Sequence, residues 1–339
     1  MIDALPAALV LAVGPTILYL VVLNLVDRYE KEPWTILLAC LGLGAVVAPV
    51  ISTAVLFGLG RPALLAPQFA ASTAGADPMV ALVQETAKAV VLLGLVRFVR
   101  DEFDDVLDGV IYGAAIGAGF AAAETFVFVL GGTATLGNDT LAALIVAGLD
   151  HAFYTAVFGA IAGAATRIAS GRWAGIVIVY GLATAVVLHA LHDATPAILA
   201  RLLNQPDAAV GSATRVLAQA INVLGIVLLG IVVLLALRRE ARVLRARLRE
   251  EVDLGVLGQE DYAAVHVLRA RLARQLRAGR AHGMSGFRAA RAIHATAAEL
   301  AFHKERLEVR HRHRPPAERT ETLRGEIRRN RALLGEIDQ

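Results

Sequence analysis

Four runs of otherwise apolar sequence contain ionisable residues. VQETAKAVV carries Glu85 and Lys88, GFAAAETFVF carries Glu124, GLDHAFYTAVFG carries Asp150 and His151, and VVLHALHDATP carries His189, His192 and Asp193. At the centre of a membrane helix each such group costs roughly 2.5–3.5 kcal/mol, so its default reading is functional. Two imidazoles and several carboxylates support two hydrolytic chemistries. In one, His151, His189 and a carboxylate (Asp193 or Glu124) hold a metal ion, with Zn2+ the best match to such ligands and one position left for water. A remaining glutamate is then the general base, and the metal polarises the scissile carbonyl. In the other no metal takes part: a glutamate activates water directly and the histidines stabilise the oxyanion. The chain has no HExxH motif. A proton- or cation-coupled transporter uses the same residue types at mid-depth, but no inverted repeat is evident.

Positioning these residues requires membrane helices. The chain has 339 residues, 57% of them hydrophobic, against roughly 45–50% in soluble domains. Seven segments meet the requirement of about 20 apolar residues per span: 5–26, 35–58, 78–99, 109–131, 140–166, 173–200 and 214–237. Segment 59–77 reads as a loop. From these bounds, and about 1.5 Å per helical residue, Glu85, Glu124, His151 and His189 all fall roughly 10–17 Å below the outer surface. Scattered structural polar residues would not agree in depth. Spacing adds detail: His189 and Asp193 are i and i+4, so Asp193 can hold the imidazole or join it as a ligand, while His192 faces away from that stripe. Gln84 and Lys88 share a face, and Lys88 needs a carboxylate partner, for which Glu85 or Glu124 would serve. In YGAAIGAGFAAAE, Gly113, Gly117 and Ala121 recur every four residues, which permits close helix contact.

The charge is divided. Residues 1–237 hold 10 Lys/Arg against 16 Asp/Glu; residues 238–339 hold 23 against 14. The expected organisation is therefore an all-α, polytopic membrane helix bundle of about seven spans (1–237), followed by a basic helical cytoplasmic tail (238–339). Arg28, Lys31, Arg97, Arg100, Arg167 and Arg172 lie on one side of the bundle, against Arg61, Arg201 and Arg215 on the other. The positive-inside rule then predicts an outside N-terminus and a cytoplasmic C-terminus. The tail reads as helices over 238–250, 259–280, 286–312 and 317–336, broken at Gly279, Gly283 and Gly286 and again at Pro315–Pro316. Its expected role is a small cytoplasmic domain binding a protein, or an arm on anionic lipid headgroups. No nucleic-acid recognition motif is present. His303, His311 and His313 read as solvated surface groups. Cys40 is the one cysteine, so no internal disulfide is possible.

Taken in order, these motifs resemble the PrsW intramembrane proteases, relatives of the prenyl-protein (CAAX) endopeptidases and bacteriocin-processing membrane proteases. The resemblance runs from about residue 15 to about residue 200. It rests on DRYEKEPW, on QETAK where the family has Glu-Glu-x-x-Lys, on DDVLDGVIYGAAIGAGFAAAET where it has Asp-Gly-x-x-Tyr-Gly and Gly-Phe-Ala-x-x-Glu-Asn, and on DHAFYTAVFG and HALHD. It implies a bacterial, multi-pass cell-membrane protease that cuts membrane-anchored proteins near the outer face, an anti-sigma factor in the founding stress-signalling pathway. Glu85, Glu124, His151 and His189 would be its catalytic residues, supported by Lys88, Gln84 and Asp193. Two positions depart from the pattern: Gln84 replaces the first paired glutamate, and Thr125 replaces the asparagine after Glu124. If the first glutamate activates water, the chain is a catalytically silent relative; if the second does, Glu85 keeps the role.

Overall fold

In a computed structural model of the chain, the described residues are 5–61, 77–99, 102–131, 138–168, 171–202, 207–310 and 317–335. They are helical throughout: α1 (Leu5–Val26), α2 (Trp34–Gly58), α3 (Pro78–Val96), α4 (Val106–Leu130), α5 (Asn138–Ile168), α6 (Arg172–Leu202), α7 (Asp207–Asp253), α8 (Gln259–Val265), α9 (Leu268–Arg310) and α10 (Ala317–Ala332). Helix starts follow local chemistry. The Asp77 side chain caps α3 at the Met79 N–H, with Pro78 in the first turn. Asp105 and Asp108 form a reciprocal capping box at the start of α4. Most of the expected loop 59–77 lies outside the described residues.

Among the described residues, six helices are long and apolar enough to cross a membrane: α1, α2, α3, α4, α6 and α7. The fifth expected span, 140–166, corresponds to α5, which is 31 residues long but is not among the six. It carries Asp150 and His151, and from Asp150 to Ala165 most of its side chains are buried. A helix enclosed by its neighbours can bear such groups where a lipid-facing one cannot.

The chain forms two compact units. The first comprises the chain up to Val26 and Glu32–Val233. Its centre is α4, buried almost without interruption from Leu107 to Ala121 and packed by α1, α2 and α5. The glycines permit this. A Cβ on Gly109, Gly113 or Gly117 would lie 2.0–2.3 Å from the carbonyl oxygens of Gly159, Thr155 and His151 on α5, so the two backbones touch where other residues would hold them apart. The outward faces of α1, α2, α6 and α7 expose large apolar side chains, among them Leu18, Val46, Val179 and Leu224, as lipid contact requires.

The second unit comprises Asp27–Lys31 and the chain from Leu234 onward. Its core includes Leu244, Leu248, Val265, Ile293, Ala297, Leu323 and Ile327. The expected helix 259–280 is divided: α8 ends at Val265, the backbone leaves helical geometry at His266, and α9 begins at Leu268. Within α9 the helix kinks at His282 and Gly283. Gly283 has φ +66°, a conformation natural to glycine, so the break expected from the clustered glycines falls there. His311, His313 and Pro315–Pro316 lie outside the described residues. Contacts within this unit hold the 27–31 segment. The Tyr29 hydroxyl donates to the His266 carbonyl, Arg271 donates to the Arg28 carbonyl, and Arg306 pairs with Glu30 at 2.9 Å.

Glu251, whose side chain is fully buried, accepts two hydrogen bonds from Arg324 and one from Lys304, all at 2.8 Å. Burial alone would raise its pKa, but these partners hold it below the usual carboxylate value. Its contribution is therefore complete above the unfolded-state pKa of about 4.3 and is lost as pH falls through the lower folded-state value. Glu251→Gln is expected to destabilise the second unit by about 2–3 kcal/mol at pH 7. Thermal denaturation of the full chain in detergent should show the gap from wild type shrinking as pH falls below about 4. A gap that is constant with pH would contradict this reading.

Candidate active site between the spans

The polar residues expected at one depth meet inside the first unit. Helix α3 supplies Gln84, Glu85 and Lys88; α4 supplies Glu124, α5 His151, and α6 His189 and Asp193. Six of these residues form a continuous chain of contacts. Asp193 Oδ2 lies 3.3 Å from His189 Nε2, and His189 Nδ1 lies 2.8 Å from Glu85 Oε1. Lys88 Nζ donates to the same Oε1 at 2.5 Å and lies 3.2 Å from His151 Nδ1. His151 Nε2 closes the series, 2.7 Å from Glu124 Oε2. Gln84 is buried beside Glu85 on α3.

Burial is graded along this series. Side-chain exposure is 0% for Lys88 and 1% for Glu85, but 35% for Glu124 and 27% for Asp193. The two ends are partly exposed, while the middle is enclosed. Of the two glutamates in the series, Glu85 is enclosed and Glu124 is the more exposed.

Residues not singled out as site residues complete the walls. The Tyr154 ring stacks on His189, with centroids 4.8 Å apart and planes 15° apart, and its hydroxyl accepts from Asn222 Nδ2 at 2.6 Å. The Phe120 ring packs at 5.2 Å from His151. Asp150 turns to Gln219, which donates to it at 3.0 Å, and faces His192 at 3.7 Å. Thus His192 does stand apart from the His189–Asp193 pair. A signal for α7 was present in the sequence: Gln219 and Asn222 are i and i+3 in an apolar run, and so share a face. Tyr154 likewise lies three residues after His151.

Glu85, His151 and His189 each offer a ligand atom, and these atoms lie within 4.8 Å of one another. All three residues are buried. Two imidazoles and a carboxylate make up a known type of catalytic zinc site, one that keeps a position open. The donor set therefore fits a divalent ion, with Glu85 as the carboxylate closest to both rings. Asp193 and Glu124, the carboxylates first expected as ligands, each sit against one imidazole.

Fold and site together define a polytopic membrane protein whose imidazoles and carboxylates are enclosed between its helices. The family described as PrsW family intramembrane metalloprotease matches residues 32–237, and the chain belongs to that family. The match omits α1 and all of DRYEK, and extends beyond residue 200 to include the part of α7 that carries Gln219 and Asn222. Neither the curated proteins nor the solved structures compared with the chain gave a match.

Proposed function

We propose that this protein is an intramembrane endopeptidase that hydrolyses membrane-anchored protein substrates, with Glu85, His151 and His189 as the ligand set for a divalent ion, most suitably Zn2+. The observation that carries this reading is the convergence of these three buried residues within 4.8 Å. When bound, such an ion supplies Lewis acidity toward the scissile carbonyl and toward water. Glu124 is the most exposed carboxylate of the series and, unlike Asp193, does not orient His189. It therefore takes the proton of the attacking water and returns it to the departing amine. Asp193 orients the His189 ring, and Tyr154, stacked on the other side, keeps it from turning. Phe120 and the surrounding small residues exclude water from the enclosed half of the site.

Gln84 does not weaken this reading, because Glu85 is the carboxylate that touches His189 and Lys88. Peptide hydrolysis is favoured over coupled transport by membership of a protease family, and over a silent relative by the intact ligand set. The Lys/Arg distribution supports an N-terminus outside and the second unit in the cytoplasm, where that unit meets lipid headgroups or a protein, and the resemblance to PrsW proteases supports a bacterial cell membrane. Cleavage then falls in the outer half of the membrane, and an anti-sigma-factor-type regulator is the expected class of substrate.

Metal analysis by mass spectrometry tests the ligand set without a substrate. Protein purified without chelators should carry about one zinc per chain, and His189→Ala should lose it. A His189→Ala variant that retains full metal occupancy would remove His189 from the set. In proteoliposomes, cleavage of a single-span substrate should stop on chelation and return with zinc.

A further inference from the structure

The ligand set already contains a cation. Lys88 is fully buried, its Nζ lying 2.5 Å from Glu85 Oε1, 3.2 Å from His151 Nδ1 and 4.8 Å from the centre of the Phe120 ring. It therefore touches two of the three residues that would hold a metal. An ammonium has donors only, so His151 Nδ1 must be the acceptor, and an imidazole nitrogen has one lone pair to give. While Lys88 holds that nitrogen, it cannot ligate. The other ring nitrogen faces Glu124, and both nitrogens of His189 are similarly engaged, by Glu85 and Asp193. Every imidazole nitrogen of the set has an internal partner. A divalent ion beside a retained ammonium would also place like charges together in a weakly screening interior.

We propose that Lys88 is a built-in competitor for the metal, so that a divalent ion loads the site only when the Lys88 ammonium gives up Glu85 and His151. The proposal rests on the metal reading above and extends it: the lysine sets how readily Glu85 and His151 are given over to the ion. Lys88 is a positioning residue here, acting through the ligands.

The test is a cobalt titration of the full-length protein in detergent, followed by the visible absorption of bound Co2+ and by competition with a zinc-sensitive dye. Lys88→Met and Lys88→Gln should bind the ion about ten- to a hundredfold more tightly than wild type, at one ion per chain. Adding His189→Ala should abolish binding in each. The glutamine variant keeps a hydrogen-bonding side chain, so the proposal can be judged even if the methionine variant fails to fold. Wild type and variants binding with equal affinity would overturn the competitor role and leave the metal reading standing. Binding by none of them would overturn both.

Discussion

His189→Ala is expected to abolish cleavage of a single-span substrate in proteoliposomes, by about a thousandfold or more, while the protein still inserts and purifies as wild type does. The size follows from how many partners the ring serves at once: it bonds Glu85 and Asp193 and stacks on Tyr154. His151→Ala and Glu85→Gln should reach the same floor. Because the three act as a unit, the double variant His151→Ala/His189→Ala should be no worse than either single one. Asp193→Asn separates the roles. As a group that orients a ligand rather than reacting, it should cost only about 10–100-fold. Quantifying cleaved substrate by mass spectrometry distinguishes these grades. Full cleavage by all three of the first variants would remove the site, and an Asp193→Asn variant as dead as His189→Ala would move Asp193 into the reacting set.

Much of this site was legible because a membrane makes polarity informative. In a span, an ionisable residue stands out against lipid, and a helix converts residue number into depth at a fixed rise. Equal depth therefore placed Glu85, Glu124, His151 and His189 together before any coordinates. The i, i+3 spacing offered Glu85 as one of two partners for Lys88, with Glu124 the other, and the glycines of α4 announced its close approach. Azimuth was harder. Depth does not say which way a helix is rotated, so nothing in the sequence chose Glu85 over Asp193 or Glu124 as the carboxylate nearest both rings. The sandwich of Tyr154 against His189 also depends on rotation. In the second unit, apolar spacing predicted one helix over 259–280 but did not reveal the interruption at His266, which has no glycine or proline to announce it. The inclusion of 27–31 in that unit joins residues more than 230 positions apart, beyond the reach of local pattern.

Gly117→Ala is expected to lower cleavage by about a hundredfold and to destabilise the bundle by about 1–3 kcal/mol, though the residue touches no reacting group. The added Cβ would lie 2.3 Å from the carbonyl oxygen of His151. That neighbour is backbone, so it cannot rotate aside as a flexible side chain would; either α4 or α5 must move. The displaced turn is the one that carries His151, and Glu124 lies two turns along α4 on the same face as Gly117. A shift of even 1 Å therefore acts directly on the 2.7 Å contact between His151 and Glu124. Gly42→Ala is the matched control, since a Cβ there meets nothing within 4 Å, and it should leave both cleavage and thermal stability near wild type. Gly113→Ala, one turn away and equally crowded against Thr155, should destabilise as much. Its effect on cleavage should be smaller, because its contact lies a turn further from the imidazole. If Gly117→Ala cleaves as wild type does, the α4–α5 approach does not set the site geometry. If Gly113→Ala and Gly117→Ala are impaired equally in cleavage, the loss is one of general stability rather than of the His151–Glu124 contact.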